Sequence, residues 1–203
     1  MMILRSSPPS PFGRQVKLAA KHLGLMEQIS VEVADTTNPE DTLRGQNPLG
    51  KIPVLIAEEG MALYDSRVIL DYLDHLAGGE KIVPAGEAKF AAYTTQSLAN
   101  GIADAALIQV YEKRFRPEEL QSKDWMDYQA DKVRRGMASF EACPPPLTSA
   151  KELHVGHIAL SCALGYQDLR FEGAWRKNYP HLVAWLENFS ALVPGFEETK
   201  IST

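Results

Sequence analysis

The chain has 203 residues, 45% of them apolar and 23% charged, and its 21 basic and 26 acidic side chains leave a formal charge of −5. That balance argues against disorder, the acidic total removes the broad basic footprint of a nucleic-acid binder, and two cysteines cannot build a disulfide framework. Length divided by about 150 leaves one large domain or two modest ones open, and about 70% of the unfolded surface can be buried without a staple.

In chain order, Met2 to Leu4 form a brief apolar run that predicts a first strand, and Ser6-Ser7-Pro8-Pro9-Ser10-Pro11 reads as a loop. Ser10 before Pro11 has the form of a helix N-cap with proline at the first helical position. The helix it opens carries Val16, Ala19, Ala20 and Leu23 at i, i+3, i+4 and i+7, and Gly24 stops it. Ile29, Val31 and Val33 alternate as a strand, and Asn38-Pro39-Glu40-Asp41 predicts another capped helix start. Val54 to Ile56 and Met61 to Tyr64 flank Glu58-Glu59-Gly60 as the arms of a hairpin. A further helix begins near Asp65-Ser66, with Ile69, Tyr72, Leu73 and Leu76 on one face.

Gly78, Gly79 and the stretch to Gly86 read as a linker, beyond which the strand signal stops. Residues 87–115 carry one helical pattern, with Ala88, Ala91, Ala92, Thr95, Leu98, Ile102, Ala105 and Ala106 as its apolar face; such a helix spans about 42 Å. Three more helices follow, centred on Val133, Ile158 and Leu186, and Pro144-Pro145-Pro146 ends the first of them. The expected architecture is α/β followed by all-α: residues 1–77, a linker at 78–86 and a helical bundle at 87–203. Met1 to Pro11 lacks the apolar stretch of a signal peptide and no run approaches about 18 apolar residues, so a soluble cytoplasmic protein with no membrane segment is expected. No CxxC or Cys/His zinc spacing occurs, and no metal site is expected.

Asn47-Pro48-Leu49-Gly50-Lys51-Ile52-Pro53-Val54-Leu55 carries the most information. Proline at the start of a strand removes a ladder hydrogen bond. Either Pro53 is trans and simply opens an edge strand, or Ile52-Pro53 is cis and turns the Ile52 N–H and C=O outward, where a ligand's peptide backbone could pair with them as an added strand does. Tyr64-Asp65-Ser66-Arg67 sets an acid and a hydroxyl at a strand-to-helix junction. A ligand carboxylate could sit on Ser66 and the first helical amides while Asp65 accepts from an ammonium, or Asp65 caps its own helix.

Together, SPPSPF near residue 10, NPLGKIPVL at 47–55 and YDSRVILDYL at 64–73 resemble the N-terminal domain of a glutathione transferase. ADAALIQVYEKRFRPEELQS, ALGYQDLRF and YPHLVAWLENF are similar to the helical domain of bacterial members of that family. The resemblance implies a thioredoxin-like domain followed by a helical domain, a homodimer, and a cis Ile52-Pro53 bond. It implies glutathione as co-substrate rather than a permanently bound cofactor. Ile52 would hold the cysteinyl backbone, Pro53 would be the cis proline, Asp65 and Ser66 would bind the γ-glutamyl end, and Lys51 could meet the glycyl carboxylate. No tyrosine stands in Leu4-Arg5-Ser6, so the likeness is to the serine and cysteine types, with Ser10 as the residue that faces the thiol and Ser7 as the alternative. The function so implied is attack of bound glutathione thiolate on small hydrophobic electrophiles. A glutathione-binding protein without turnover, or a glutathione-dependent disulfide reductase, are the alternatives on the same fold.

The requirement on such a site can be sized. A thiol with pKa about 8.5 is about 3% ionised at pH 7, and a two-unit reduction needs about 2.7 kcal/mol. One hydrogen bond to a charged group gives about 1.5–3 kcal/mol and a helix N-terminus adds about 0.3–1. A serine hydroxyl at the start of a helix is therefore about sufficient.

Other candidates are weaker. Family members often carry Ser/Thr-x-x-Asp as a capping box where this chain has His154-Val155-Gly156-His157, so a loosely capped helix, sensitive to pH near 6–7, is expected. Cys162 lies on an apolar face and is expected in the core, and Cys143 beside the prolines is expected to be exposed. Asp104 either projects toward the cleft or has a solvated or capping role. The hydrophobic co-substrate is expected against Phe12 and the inner face of the long helix at Ile108, Tyr111 and Phe115.

Overall fold

The computed structural model describes residues 1–201; Ser202 and Thr203, the last two residues assigned above to the helical half, lie outside the described residues. Strand β1 (Met2–Ser6) leads through helix α1 (Pro11–His22) to β2 (Ile29–Val33), which pairs parallel to β1. A one-turn helix α2 (Leu43–Gln46) precedes the hairpin β3 (Val54–Ile56) and β4 (Ala62–Leu63), and α3 (Ser66–Leu76) closes this part. The sheet order is β2-β1-β3-β4, with β3 antiparallel to both of its neighbours. This is a thioredoxin-like sheet.

Alternation of side chains along a strand decides the two faces. Leu55 points with Leu4, Val16, Ile69, Leu70 and Leu73 into the main core under α1 and α3, while its neighbour Val54 joins Ala34 and Leu43 in a small cluster beneath α2. β2 is an edge strand, and of its alternating residues only Ile29 is buried; Val31 and Val33 face outward. The helix expected at Asn38 begins later. Asn38 instead accepts from the Glu40 amide in a turn, and Asp41 accepts from the Asp35 and Leu43 amides while pairing with Arg5 at 2.8 Å. Short polar side chains bonding their own backbone favour such turns over helix.

The stretch at 78–86 is better ordered than its glycines suggest. The buried Asp74 carboxylate, near the end of α3, accepts from the amides of Glu80, Lys81 and Ile82 at 2.6–2.9 Å, with Val83 at 3.3 Å. The Ile82 carbonyl in turn accepts from Val155.

Helices α4 (Ala88–Phe115), α5 (Lys123–Ala142), α6 (Val155–Phe171), α7 (Pro180–Leu192) and the short α8 (Gly195–Glu198) form the helical domain. The buried face of α4 is Ala92, Gln96, Ala99, Asn100, Ile102, Ala103, Ala105 and Ala106. Ala88, Ala91 and Leu98, expected on that face, are exposed. Glycine lets α6 approach α4 closely: a Cβ on Gly156 would lie 2.6 Å from Thr95 Cβ and 2.9 Å from the Ala92 carbonyl. Cys162 is buried and Cys143 exposed; burial pushes the Cys162 thiol up to about 11. No helix among the described residues is long and apolar enough to cross a membrane.

The start of α6 corrects the expectation of a loose cap. His154 Nδ1 accepts from the Gly156 amide at 3.1 Å, and His157 Nδ1 accepts from the His154 amide at 3.2 Å. The two rings stack with centroids 3.6 Å apart. A neutral imidazole has one acceptor nitrogen, so two histidines serve the reciprocal roles of a capping box. Burial first, then the neighbouring His154, pushes His157 down to about 4. Burial also lowers His154. The pH-sensitive range therefore lies below the expected 6–7.

Candidate functional site

Strand register gathers the sequence motifs. Arg5 pairs with Val54, and Leu55 with Leu63. Continuing each ladder by one or two residues brings Ser6, Pro53 and Asp65 side by side at one end of the sheet. Arg5, held by Asp41, Thr42 and Gln46, ties the α2 segment to that end.

The Ile52–Pro53 peptide is cis. Among the described residues, neither the N–H nor the C=O of Ile52 has a backbone hydrogen-bond partner, since the ladder begins at Val54. Lys51 is exposed and its carbonyl accepts from Asn47 Nδ2, so the loop before the cis bond is held while the ammonium is left to solvent. Asp65 is the N-cap of α3, with Oδ1 accepting from the Arg67 amide at 2.9 Å. Oδ2 has no partner among the described residues, so capping leaves half the carboxylate for another donor. Ser66 opens α3 and is buried.

Asp104 on α4 is exposed, yet it lies close enough to Lys51, Arg67 and Asp65 for their charges to act on it. Loss of water pushes its carboxyl up, Lys51 and Arg67 pull it down, and Asp65 pushes it up again. The sequence left this residue open between the cleft and a solvated or capping role; its side chain is exposed, and the charges that act on it are Lys51, Arg67 and Asp65.

Ser10 N-caps α1, its Oγ accepting from the Gly13 amide at 3.0 Å. The hydroxyl hydrogen is not used by that bond, so one oxygen can cap the helix and donate elsewhere. Gly13 lets α1 leave the sheet close to Ser6, since a Cβ there would meet Ser6 Oγ and lie 3.2 Å from Ser6 Cβ. Ser7 lies one turn away, its carbonyl accepting from the Ser10 amide. A cavity of about 570 Å³ opens beside Ser10, between the Pro8-Pro9 loop and one stripe of α6 comprising Cys162, Gly165, Tyr166 and Leu169. Ser7 does not line it, and neither do Phe12, Ile108, Tyr111 or Phe115; of the residues expected to bind glutathione only Ser10 does, Lys51, Ile52, Pro53, Asp65 and Ser66 lying outside the lining. Phe12 packs against the main core, and Tyr111 and Phe115 contact each other edge to face further along α4. Arg14, one turn beyond Ser10, lines the cavity and went unnoticed in the sequence; its i, i+4 spacing from Ser10 was the available signal.

Comparison with known proteins is consistent with this layout. Residues 9–76 match the family model for the glutathione S-transferase N-terminal domain. An uncharacterized GST-like protein, YibF of Escherichia coli K12, is 31% identical over 190 residues, covering 92% of this chain and 93% of that protein. The chain belongs to the glutathione S-transferase family. Among solved structures, a glutathione transferase family member from Pseudomonas fluorescens Pf-5 with bound glutathione is 34% identical, with a TM-score of 0.89 and full coverage of both chains. A glutathione S-transferase from Methylobacillus flagellatus KT with bound glutathione is 32% identical, with a TM-score of 0.90 and full coverage of both. The Pseudomonas protein also occurs with bound S-(propanoic acid)-glutathione. In this family member, then, both the sheet end and the cis-proline loop lie in a fold that holds glutathione in its relatives.

Proposed function

We propose that this family member is a glutathione transferase in which Ser10 donates a hydrogen bond to the glutathione thiolate. The observation that carries the reading is the geometry of Ser10, which caps α1 through its oxygen and keeps its proton free beside a cavity. Lining of that cavity by Ser10 and not by Ser7 supports the choice between the two serines. The unpaired Ile52 backbone would take the cysteinyl residue as an added strand, cis Pro53 bounding it, with Lys51 on the glycyl carboxylate and Asp65 Oδ2 and Ser66 on the γ-glutamyl end. Bound glutathione in two relatives at least 32% identical supports this placement.

The thiol loses its proton to solvent. Its sulfur then forms a bond to an electrophilic carbon, and a halide or similar group leaves with the bonding pair. The hydroxyl of Ser10 and the positive end of the α1 dipole stabilise the sulfur anion; Pro11 has no N–H, and the Gly13 amide is already bonded to Ser10 Oγ. The S-substituted glutathione bound by the Pseudomonas relative supports conjugation over simple storage of glutathione.

A homodimer is part of the proposal. The Tyr93 hydroxyl donates to Asp71 and joins α4 to α3, and on the outer side of that junction Val68 and Phe90 are exposed, Phe90 to 70%. A large apolar side chain left that bare on paired helices supports coverage by a second copy. The cytoplasm, where glutathione is abundant and thiols stay reduced, suits two free cysteines.

Calorimetry with glutathione, then conjugation of 1-chloro-2,4-dinitrobenzene beside reduction of a glutathionyl disulfide, tests the reading. Saturable binding with conjugation is expected. Binding without conjugation would overturn the enzymatic assignment, and disulfide reduction alone would make the chain a reductase.

A further inference from the structure

The cavity beside Ser10 contains a buried cation that has no counter-ion among the described residues. Arg14 is 9% exposed. Its Nη2 donates to the Phe196 carbonyl at 2.6 Å and its Nε to Thr199 Oγ1 at 3.3 Å, both neutral acceptors. The guanidinium lies 4.1 Å from the centre of the Phe196 ring. Among the described residues, none of the ion pairs includes Arg14. Burying a charge is costly unless an opposite charge accompanies it, so an anion placed beside Arg14 would be stabilised.

The third guanidinium nitrogen shows where that anion would sit. Nη1 makes no hydrogen bond among the described residues and rests against Gly165, where any Cβ would collide with it. Gly165 and Arg14 both line the cavity. Other charges at its edge are spent on each other: Asp168 pairs with Arg176, and Glu197 with Lys200. Glu187, the remaining acid, is exposed on α7 and acts through water near Arg176. The cavity wall at Arg14 is therefore positive, and Pro11, Leu169, Leu186 and Phe196 supply an apolar lining.

We propose that Arg14 selects the electrophile: the second substrate carries a carboxylate, which pairs with the Arg14 guanidinium while its reactive carbon meets the thiolate at Ser10. This rests on the transferase reading for its chemistry but not for the anion site. The residues one helical turn apart on α1 divide the work, Ser10 holding the sulfur and Arg14 holding the acid. A planar guanidinium matches a carboxylate with paired hydrogen bonds, which a lysine would not reproduce. For an aryl chloride the sulfur–carbon bond forms, chloride leaves with the bonding pair, and the carboxylate is unchanged.

The test uses matched acids and amides. Binding of 3,5-dinitrobenzoate and of 3,5-dinitrobenzamide is measured by calorimetry on the wild-type protein saturated with S-methylglutathione. The acid is expected to bind at least tenfold more tightly. That preference is expected to fall to twofold or less in Arg14→Met, and also in Gly165→Ala, which displaces the guanidinium without removing it. Equal binding of acid and amide by the wild type, absence of binding by either, or a preference that persists in Arg14→Met overturns the proposal. Conjugation of 4-chloro-3,5-dinitrobenzoate against its amide, each normalised to its uncatalysed rate with glutathione, reports separately on the chemistry. Acid binding through Arg14 with neither chloride conjugated would leave the anion site standing and remove the transferase reading.

Discussion

Lowering the pH should unlock the start of α6 through His157. Its imidazole falls from the usual 6.5 to about 4 in the folded chain, through burial and then through the charge on His154. Between those values the unfolded chain binds a proton that the folded chain refuses, so stability is fully present above about pH 6.5 and is lost as pH falls toward 4. With these two values the loss between pH 7.5 and 4.5 is about 2.5 kcal/mol. His154, lowered in the same direction by burial, adds to it. The Glu152 carboxylate and the Pro146 backbone pull His157 the other way and are already contained in its net shift. Urea denaturation across this range measures the effect. Carboxylates elsewhere also titrate, so the reference is His154→Ser/His157→Asp, a Ser-x-x-Asp capping box without histidine. The wild type should lose about 2–3 kcal/mol more than the double variant over the interval. Equal losses in the two proteins would refute the assignment of the neutral, reciprocally bonded pair.

Three further outcomes follow from packing and hydrogen bonding. Gly156→Ala would gain about 1 kcal/mol of helix propensity, but its methyl group meets Thr95 and the Ala92 carbonyl, so a net loss of about 1–3 kcal/mol in chemical denaturation is expected. Asp74→Ala removes the acceptor for the amides of Glu80, Lys81, Ile82 and Val83; a loss of about 3 kcal/mol and faster hydrogen exchange at those amides should result. Phe90→Asp should shift the sedimentation profile from dimer toward monomer, and a profile identical to the wild type would remove the proposed dimer face.

Much of the framework was legible because its determinants are local. Ser10-Pro11 caps and starts α1 as their chemistry dictates, the hairpin follows alternation about Gly60, and α4 spans the residues its periodicity marks. The burial face of α4 was less legible, since Ala88 and Ala91 are apolar yet exposed. Asp41 and Asn38 read as helix starters, but competing bonds to their own loop and to Arg5 won. Asp74 could not be singled out, because its four amide donors arrive only when the chain folds back after Gly79. Arg14 reads as an ordinary polar residue in an amphipathic helix. Its burial is created by α6 and α8, about 150 and 180 residues further on. The histidine capping box was visible as a spacing, but its competence depends on neutral rings that burial enforces.

The most direct test of the central claim is the ionisation of bound glutathione. The thiolate absorbance of the glutathione complex is titrated against pH for the wild type, Ser10→Ala and Ser10→Gly, the last retaining most of the N-cap strength of serine. On the proposed role, a hydrogen bond from Ser10 worth about 1.5–3 kcal/mol to the anion, both variants should raise the bound thiol by about 1–2 pH units with glutathione affinity nearly intact. Titration curves that coincide in all three proteins would contradict the account.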